Sequence, residues 1–120
     1  MSAGLLTTHV LDTAHGCPAA DVKIELWFLK SDVEFDLLKS LKTNSDGRTD
    51  EAMLIGADFQ VGRYRLVFYV GDYFASRGLT LPEPNFLDEI SIQFGIADIK
   101  AHYHVPLLVS PWSYSTYRGS

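Results

Sequence analysis

Apolar residues recur at every second position along most of this chain, and that period constrains its fold more than any other feature. Val22, Ile24, Leu26 and Phe28 alternate with Lys23, Glu25 and Trp27. Tyr64, Leu66, Phe68 and Val70 alternate with Arg65, Val67 and Tyr69, and Ile90, Ile92 and Phe94 with Ser91 and Gln93. Successive side chains of a strand point to opposite faces, so such runs describe half-buried strands. Turn formers separate them at His15-Gly16-Cys17-Pro18, Asn44-Ser45-Asp46-Gly47, Val61-Gly62, Pro82-Glu83-Pro84-Asn85 and Ser110-Pro111. Each supplies a residue that tolerates positive φ or fixes φ near about −65°. The pattern predicts strands over 5–12, 21–30, 34–43, 52–55, 63–70, 88–96, 102–109 and 112–118, with one short helix over 72–77. A helix over 34–42 competes on pattern alone and gives way to the all-β context. Short strands at this spacing predict an all-β sandwich or barrel.

At 120 residues the chain is expected to form a single domain spanning 1–120. Its apolar share of 47% is too high for a disordered chain. A net charge of −5, with ten Lys and Arg scattered from Lys23 to Arg118, argues against a nucleic-acid surface. No segment approaches the ~18 consecutive apolar residues of a membrane span. The start, Met1-Ser2-Ala3-Gly4-Leu5-Leu6, lacks the basic and long apolar regions of a signal peptide, so a cytoplasmic location is expected. Cys17 is the one cysteine, which rules out an intrachain disulfide and a cysteine-based zinc site. Beside Pro18 it reads as a small loop residue.

Four histidines are the main candidates for chemistry. His9 lies inside a predicted strand, and His102 and His104, two apart on another, point to one face. Taken singly, a histidine in a strand is more often structural than catalytic. Three imidazoles and a water would suit catalytic zinc. No acidic or cysteine ligand lies near them in sequence, however, and no metal is expected. Arg48 follows the Asp46-Gly47 turn; it is either an exposed turn arginine or a planar cationic fork for a flat, oxygen-rich anion. The ending, Tyr114-Ser115-Thr116-Tyr117-Arg118-Gly119-Ser120, reads as a continued strand rather than a loose tail.

These segments together resemble the transthyretin-like 5-hydroxyisourate hydrolases. The matching blocks are Thr8-His9-Val10-Leu11-Asp12-Thr13 with Gly16-Cys17-Pro18-Ala19, then Thr43-Asn44-Ser45-Asp46-Gly47-Arg48. His102-Tyr103-His104-Val105-Pro106-Leu107-Leu108, Ser110-Pro111 and the closing Tyr117-Arg118-Gly119-Ser120 complete them. The resemblance implies a transthyretin-like sandwich of two four-stranded sheets with one short helix. It implies a homotetramer, a dimer of dimers with active sites in a channel between the halves. It implies His9, Arg48 and His104 as catalytic residues and Tyr117, Arg118, Gly119 and Ser120 as substrate-binding residues. The hormone-carrying transthyretins lack this set, which favours the enzyme over a small-ligand carrier on the same scaffold.

The implied reaction is ring opening of 5-hydroxyisourate, in urate degradation, by water attack on a ring amide, without a cofactor. Histidine suits the proton transfers because it titrates near neutral pH. One of His9 and His104 is expected to activate water and the other to bond or protonate the substrate, with the assignment open. Arg48 and Arg118 are expected to hold the anionic purine and stabilise the charge that develops on the attacked carbonyl. No Gly-X-Ser-X-Gly elbow is present and Cys17 has no basic neighbour in sequence, so a covalent intermediate is disfavoured.

Overall fold

Every alternating run named above folds as a strand in the computed structural model, which describes residues 4–119. The strands are β1 (Leu5–Asp12), β2 (Cys17–Pro18), β3 (Lys23–Leu29), β4 (Phe35–Lys42), β5 (Leu54–Ile55) and β6 (Gly62–Tyr69). After helix α1 (Val70–Ser76) come β7 (Glu89–Ile96), β8 (His102–Val109) and β9 (Tyr114–Thr116). They form two sheets. One is antiparallel, in the order β4-β3-β6-β7; the other runs β2-β1-β8-β9, with β5 also on β1. The two-residue strands β2 and β5 divide one edge of β1 between them, so this sheet counts five strands where four were expected. The result is the expected sandwich with one short helix.

The core lies between the sheets. β1 alternates strictly: Leu6, Thr8, Val10 and Asp12 point inward, whereas Leu5, Thr7, His9 and Leu11 point outward. Leu6 and Val10 meet Ile24 and Leu26 of β3, Leu66 and Phe68 of β6 and Leu107 of β8, each fully buried. Each such side chain contributes about 1.5–3 kcal/mol over an exposed one. The two inward polar residues of β1 are satisfied. Thr8 donates to the Val105 carbonyl at 2.7 Å, and the Asp12 carboxylate accepts from the Tyr73 hydroxyl at 2.7 Å.

Several boundaries differ from expectation. The helix begins at Val70, before the expected 72, because Val70, Tyr73 and Phe74 share one buried face. The strand expected over 34–43 forms as Phe35–Lys42, with a bulge that breaks its alternation: Leu37 pairs with Trp27 and Lys39 with Leu26, so Leu38 is inserted. β9 begins at Tyr114 because a turn, closed by the Ser110 amide on the Ser113 carbonyl at 2.9 Å, occupies the preceding residues.

The pairing that matters for the site is β1 with β8. The two are parallel, with Leu5 opposite His102, Thr7 opposite His104 and His9 opposite Pro106. Parity then places Thr7, His9, His102 and His104 on the outer face of one sheet.

Candidate active site

On that outer face Thr7 stands between two histidines of the neighbouring strand. Its Oγ1 is 2.7 Å from His102 Nε2 and 2.8 Å from His104 Nδ1. His9, one outward position further along β1, has its Nε2 2.8 Å from the Asp46 carbonyl oxygen. A carbonyl only accepts, so this nitrogen carries the proton and neutral His9 keeps Nδ1 as an acceptor.

Asp46 and Arg48 reach the face through a turn built by Asn44. The Asn44 side-chain oxygen accepts from the Asp46 amide at 2.9 Å and the Arg48 amide at 3.2 Å. Gly47 adopts φ +76° and donates to the Asn44 carbonyl at 2.9 Å. The Val10 amide then donates to the Gly47 carbonyl at 2.8 Å, which fastens the turn to the open middle of the β1 edge. A Cβ on Gly47 would collide with the Val10 carbonyl, so glycine is required both by φ and by contact. The same turn therefore sets the His9 partner and the Arg48 position.

Arg48, His102, His104, Thr7 and the segment Thr49 to Ala52 line an open cleft of about 460 Å³. Burial pushes the His104 pKa down from its ordinary 6.5, and the positive charges of Arg48, His102 and His9 lower it further. His104 is therefore held neutral at neutral pH. A neutral imidazole beside a guanidinium, in a cleft with polar walls, suits water activation next to a developing oxyanion. Among the described residues no group of three His, Cys, Asp or Glu is placed to hold a metal ion.

The terminal segment returns to the same place by its backbone. The Gly119 amide donates to the His104 carbonyl at 2.7 Å and forms an isolated antiparallel bridge.

A sequence model described as the HIUase/Transthyretin family matches residues 6–119. The chain belongs to the HIUase/transthyretin family. Among its relatives is a 5-hydroxyisourate hydrolase of Pseudomonas aeruginosa, 56% identical over 98% of this chain and 92% of that protein. The structure of Klebsiella pneumoniae 5-hydroxyisourate hydrolase superposes with a TM-score of 0.80 at 34% identity, covering all of both chains. A crystal structure of (S)-allantoin synthase superposes with a TM-score of 0.93 at 49% identity. It covers 99% of this chain, which spans 44% of that longer one.

Within this family fold, the expected catalytic residues His9, Arg48 and His104 fall around one face, although they come from two strands and a turn. The terminal residues divide. Gly119 packs against His104, where an added Cβ would lie 2.8 Å from the ring Cδ2. Arg118 turns the other way, with its guanidinium 4.1 Å from the centroid of the Tyr103 ring. Tyr103 points inward from β8 and is buried, so Arg118 lies on the opposite side of the sheet from His104. Tyr117 is exposed, and it lines a shallow depression with Arg118. Ser120 lies outside the described residues.

Thr7 is the residue that the sequence argument passed over. Its parity with His9 was available from the alternation. Its contact with both other histidines depends on the β1–β8 register, which the alternation does not encode.

Proposed function

We propose that this chain hydrolyses 5-hydroxyisourate, opening its six-membered ring at an amide bond to give 2-oxo-4-hydroxy-4-carboxy-5-ureidoimidazoline. The observation that carries the proposal is the gathering of His9, Arg48 and His104 on one face, in a chain 56% identical to a hydrolase of that name.

Neutral His104 takes a proton from water as the water oxygen bonds to the ring carbonyl carbon. The resulting oxyanion is stabilised by the Arg48 guanidinium, and a planar fork suits a flat anionic substrate. The proton held on His104 passes to the ring nitrogen as the carbon–nitrogen bond breaks, and the new carboxyl ionises. His9, its Nε2–H committed to the Asp46 carbonyl, has Nδ1 left to accept from a substrate N–H or hydroxyl. The resemblance of the terminal segment supports a substrate-binding role for Tyr117, Arg118, Gly119 and Ser120. Gly119 acts through its contact with His104, and Arg118 reaches substrate by leaving the Tyr103 ring. The resemblance supports a homotetramer, with the outer face of β1 and β8 turned to a central channel, and the lack of signal-peptide features at the start of the sequence supports a cytoplasmic location. No helix among the described residues is long and apolar enough to cross a membrane.

The test is an absorbance assay in which urate oxidase generates the substrate in place. The protein accelerates substrate decay over the spontaneous rate, and a chelator leaves that acceleration unchanged. His9→Ala, Arg48→Ala and His104→Ala each lower kcat/KM by about 10²–10⁴-fold, the usual worth of an acid–base group, without changing sedimentation. Near wild-type turnover by His104→Ala would remove His104 from the mechanism.

A further inference from the structure

Thr7 supplies one hydroxyl to two imidazoles, and that arithmetic has consequences for where their protons sit. A hydroxyl donates one hydrogen bond and accepts two. With His102 Nε2 at 2.7 Å and His104 Nδ1 at 2.8 Å, Thr7 cannot donate to both rings. At least one ring must present an N–H to it. The two rings lie 6.1 Å apart, centroid to centroid, so the hydroxyl is the link between them.

Three neutral arrangements use both contacts, but the one in which both rings donate leaves the Thr7 hydrogen without an acceptor among the described residues, so two satisfy every donor. In the first, His104 donates from Nδ1 to Thr7, Thr7 donates to His102 Nε2, and His104 Nε2 is bare. In the second every donor is reversed, and His104 carries its proton on Nε2. The surroundings favour the first. His104 Nε2 has no hydrogen-bond partner among the described residues, and the ring lines the cleft with Arg48. A lone pair beside a guanidinium is favoured over an N–H pointing at the same positive charge. Gly119 packed on Cδ2, Cβ and Cγ restricts the ring rotation that would exchange the nitrogens.

The geometry points to Thr7 as a positioning residue that couples the two imidazoles, biasing His104 toward a protonated Nδ1 and a bare Nε2 while His102 is neutral. His102 is the exposed end of the relay. When His102 gains a proton it must donate from Nε2, and the Thr7 hydrogen then finds an acceptor only in a bare His104 Nδ1, which biases the His104 proton toward Nε2. The balance of His104 tautomers thus shifts toward a bare Nδ1. Solvent would thereby act on the base through a residue that never touches substrate. The charged and titratable groups near His104 are Arg48, His102 and His9, and Asp50 and Glu51 also line the cleft. The inference rests on His104 being the base of the proposed reaction.

Imidazole ¹⁵N correlation spectra of the full chain, recorded above the histidine titration range alongside kcat and KM, test it. In the wild type His104 shows a protonated Nδ1 and a bare Nε2, and Thr7→Ser preserves that pattern. Thr7→Val, isosteric but without the hydroxyl, gives mixed tautomers and lowers kcat by about three- to tenfold at little-changed KM, the population shift that one lost hydrogen bond allows. His102→Phe leaves Thr7 in place but removes its acceptor, and it moves His104 toward the Nε2–H form. Unchanged His104 tautomers in both Thr7→Val and His102→Phe overturn the relay. Tautomers that move while kcat holds overturn His104 as the base, and with it the positioning role of Thr7.

Discussion

Gly119→Ala isolates the contact between the chain terminus and His104. Gly119 lies outside the left-handed φ region, so alanine meets no backbone strain there, and the hydrogen bond from its amide to the His104 carbonyl can persist. The perturbation is therefore steric. The new Cβ would stand 2.8 Å from Cδ2, 3.2 Å from Cβ and 3.3 Å from Cγ of His104, where ordinary van der Waals contact begins at 3.4 Å. The imidazole or the terminal segment must yield by roughly half an ångström, while a misplacement of about 1 Å at a reacting centre costs on the order of 10²-fold. We expect kcat/KM to fall about tenfold or somewhat more, with the thermal midpoint shifted by less than a few degrees because the bridge lies outside the core. The readout is initial-rate decay of freshly generated 5-hydroxyisourate, with near-ultraviolet circular dichroism as the folding control. Wild-type kcat/KM in Gly119→Ala would refute the claim that this contact sets the ring position.

Two further predictions concern protons. With His104 as base and its pKa depressed by burial and by Arg48, His102 and His9, the acid limb of the kcat/KM profile has its midpoint below the ordinary 6.5. In Arg48→Gln, loss of a positive neighbour favours imidazolium, so the limb of the residual activity moves to higher pH; a midpoint unmoved by Arg48→Gln counts against the electrostatic account. Asp12 is fully buried and accepts from the Ala14 and His15 amides, from His15 Nδ1 at 2.6 Å and from Tyr73. Asp12→Ala strands the Tyr73 hydroxyl in the core and should cost about 3 kcal/mol, roughly a 10 °C drop in Tm for a domain of this size. Burial raises the Asp12 pKa, but hydrogen bonds from Tyr73 and His15 outweigh it and leave the group below 3.8. Its contribution is thus complete above 3.8 and is lost as the pH falls through the lowered value. The Tm gap between wild type and variant should accordingly narrow in acid, and a gap constant from neutral pH to below that value would contradict the assignment.

Strands whose two faces meet different surroundings were legible in the sequence. β1, β3, β6 and β7 carry strict or nearly strict alternation because one face packs on the core and the other does not. The edge strands β4 and β2 were less legible. β4 has mostly exposed side chains, and its Leu38 bulge breaks the period that identifies a strand. β2 is a two-residue pairing that no pattern announces. For the site, parity put His102 and His104 on one face, and the resemblance supplied His9, Arg48 and the terminal residues. What parity lacks is a partner. Nothing in the alternation says that β1 lies parallel to β8 with Thr7 opposite His104, or that Arg118 folds over Tyr103 on the other face. Those facts arise from packing between segments distant in sequence.

The β1–β8 pairing also governs when a working site can exist. Thr7 and His104 meet across a separation of 97 residues, so their contact closes a loop nearly as long as the chain. Loop closure of that kind carries an entropic cost with no local reward and slows folding. The β3–β4 and β6–β7 pairs, by contrast, join strands that follow one another in sequence. A nascent or partly refolded chain can therefore hold most of one sheet and still present no cleft. Turnover in this protein is a report that its first and eighth strands have found each other.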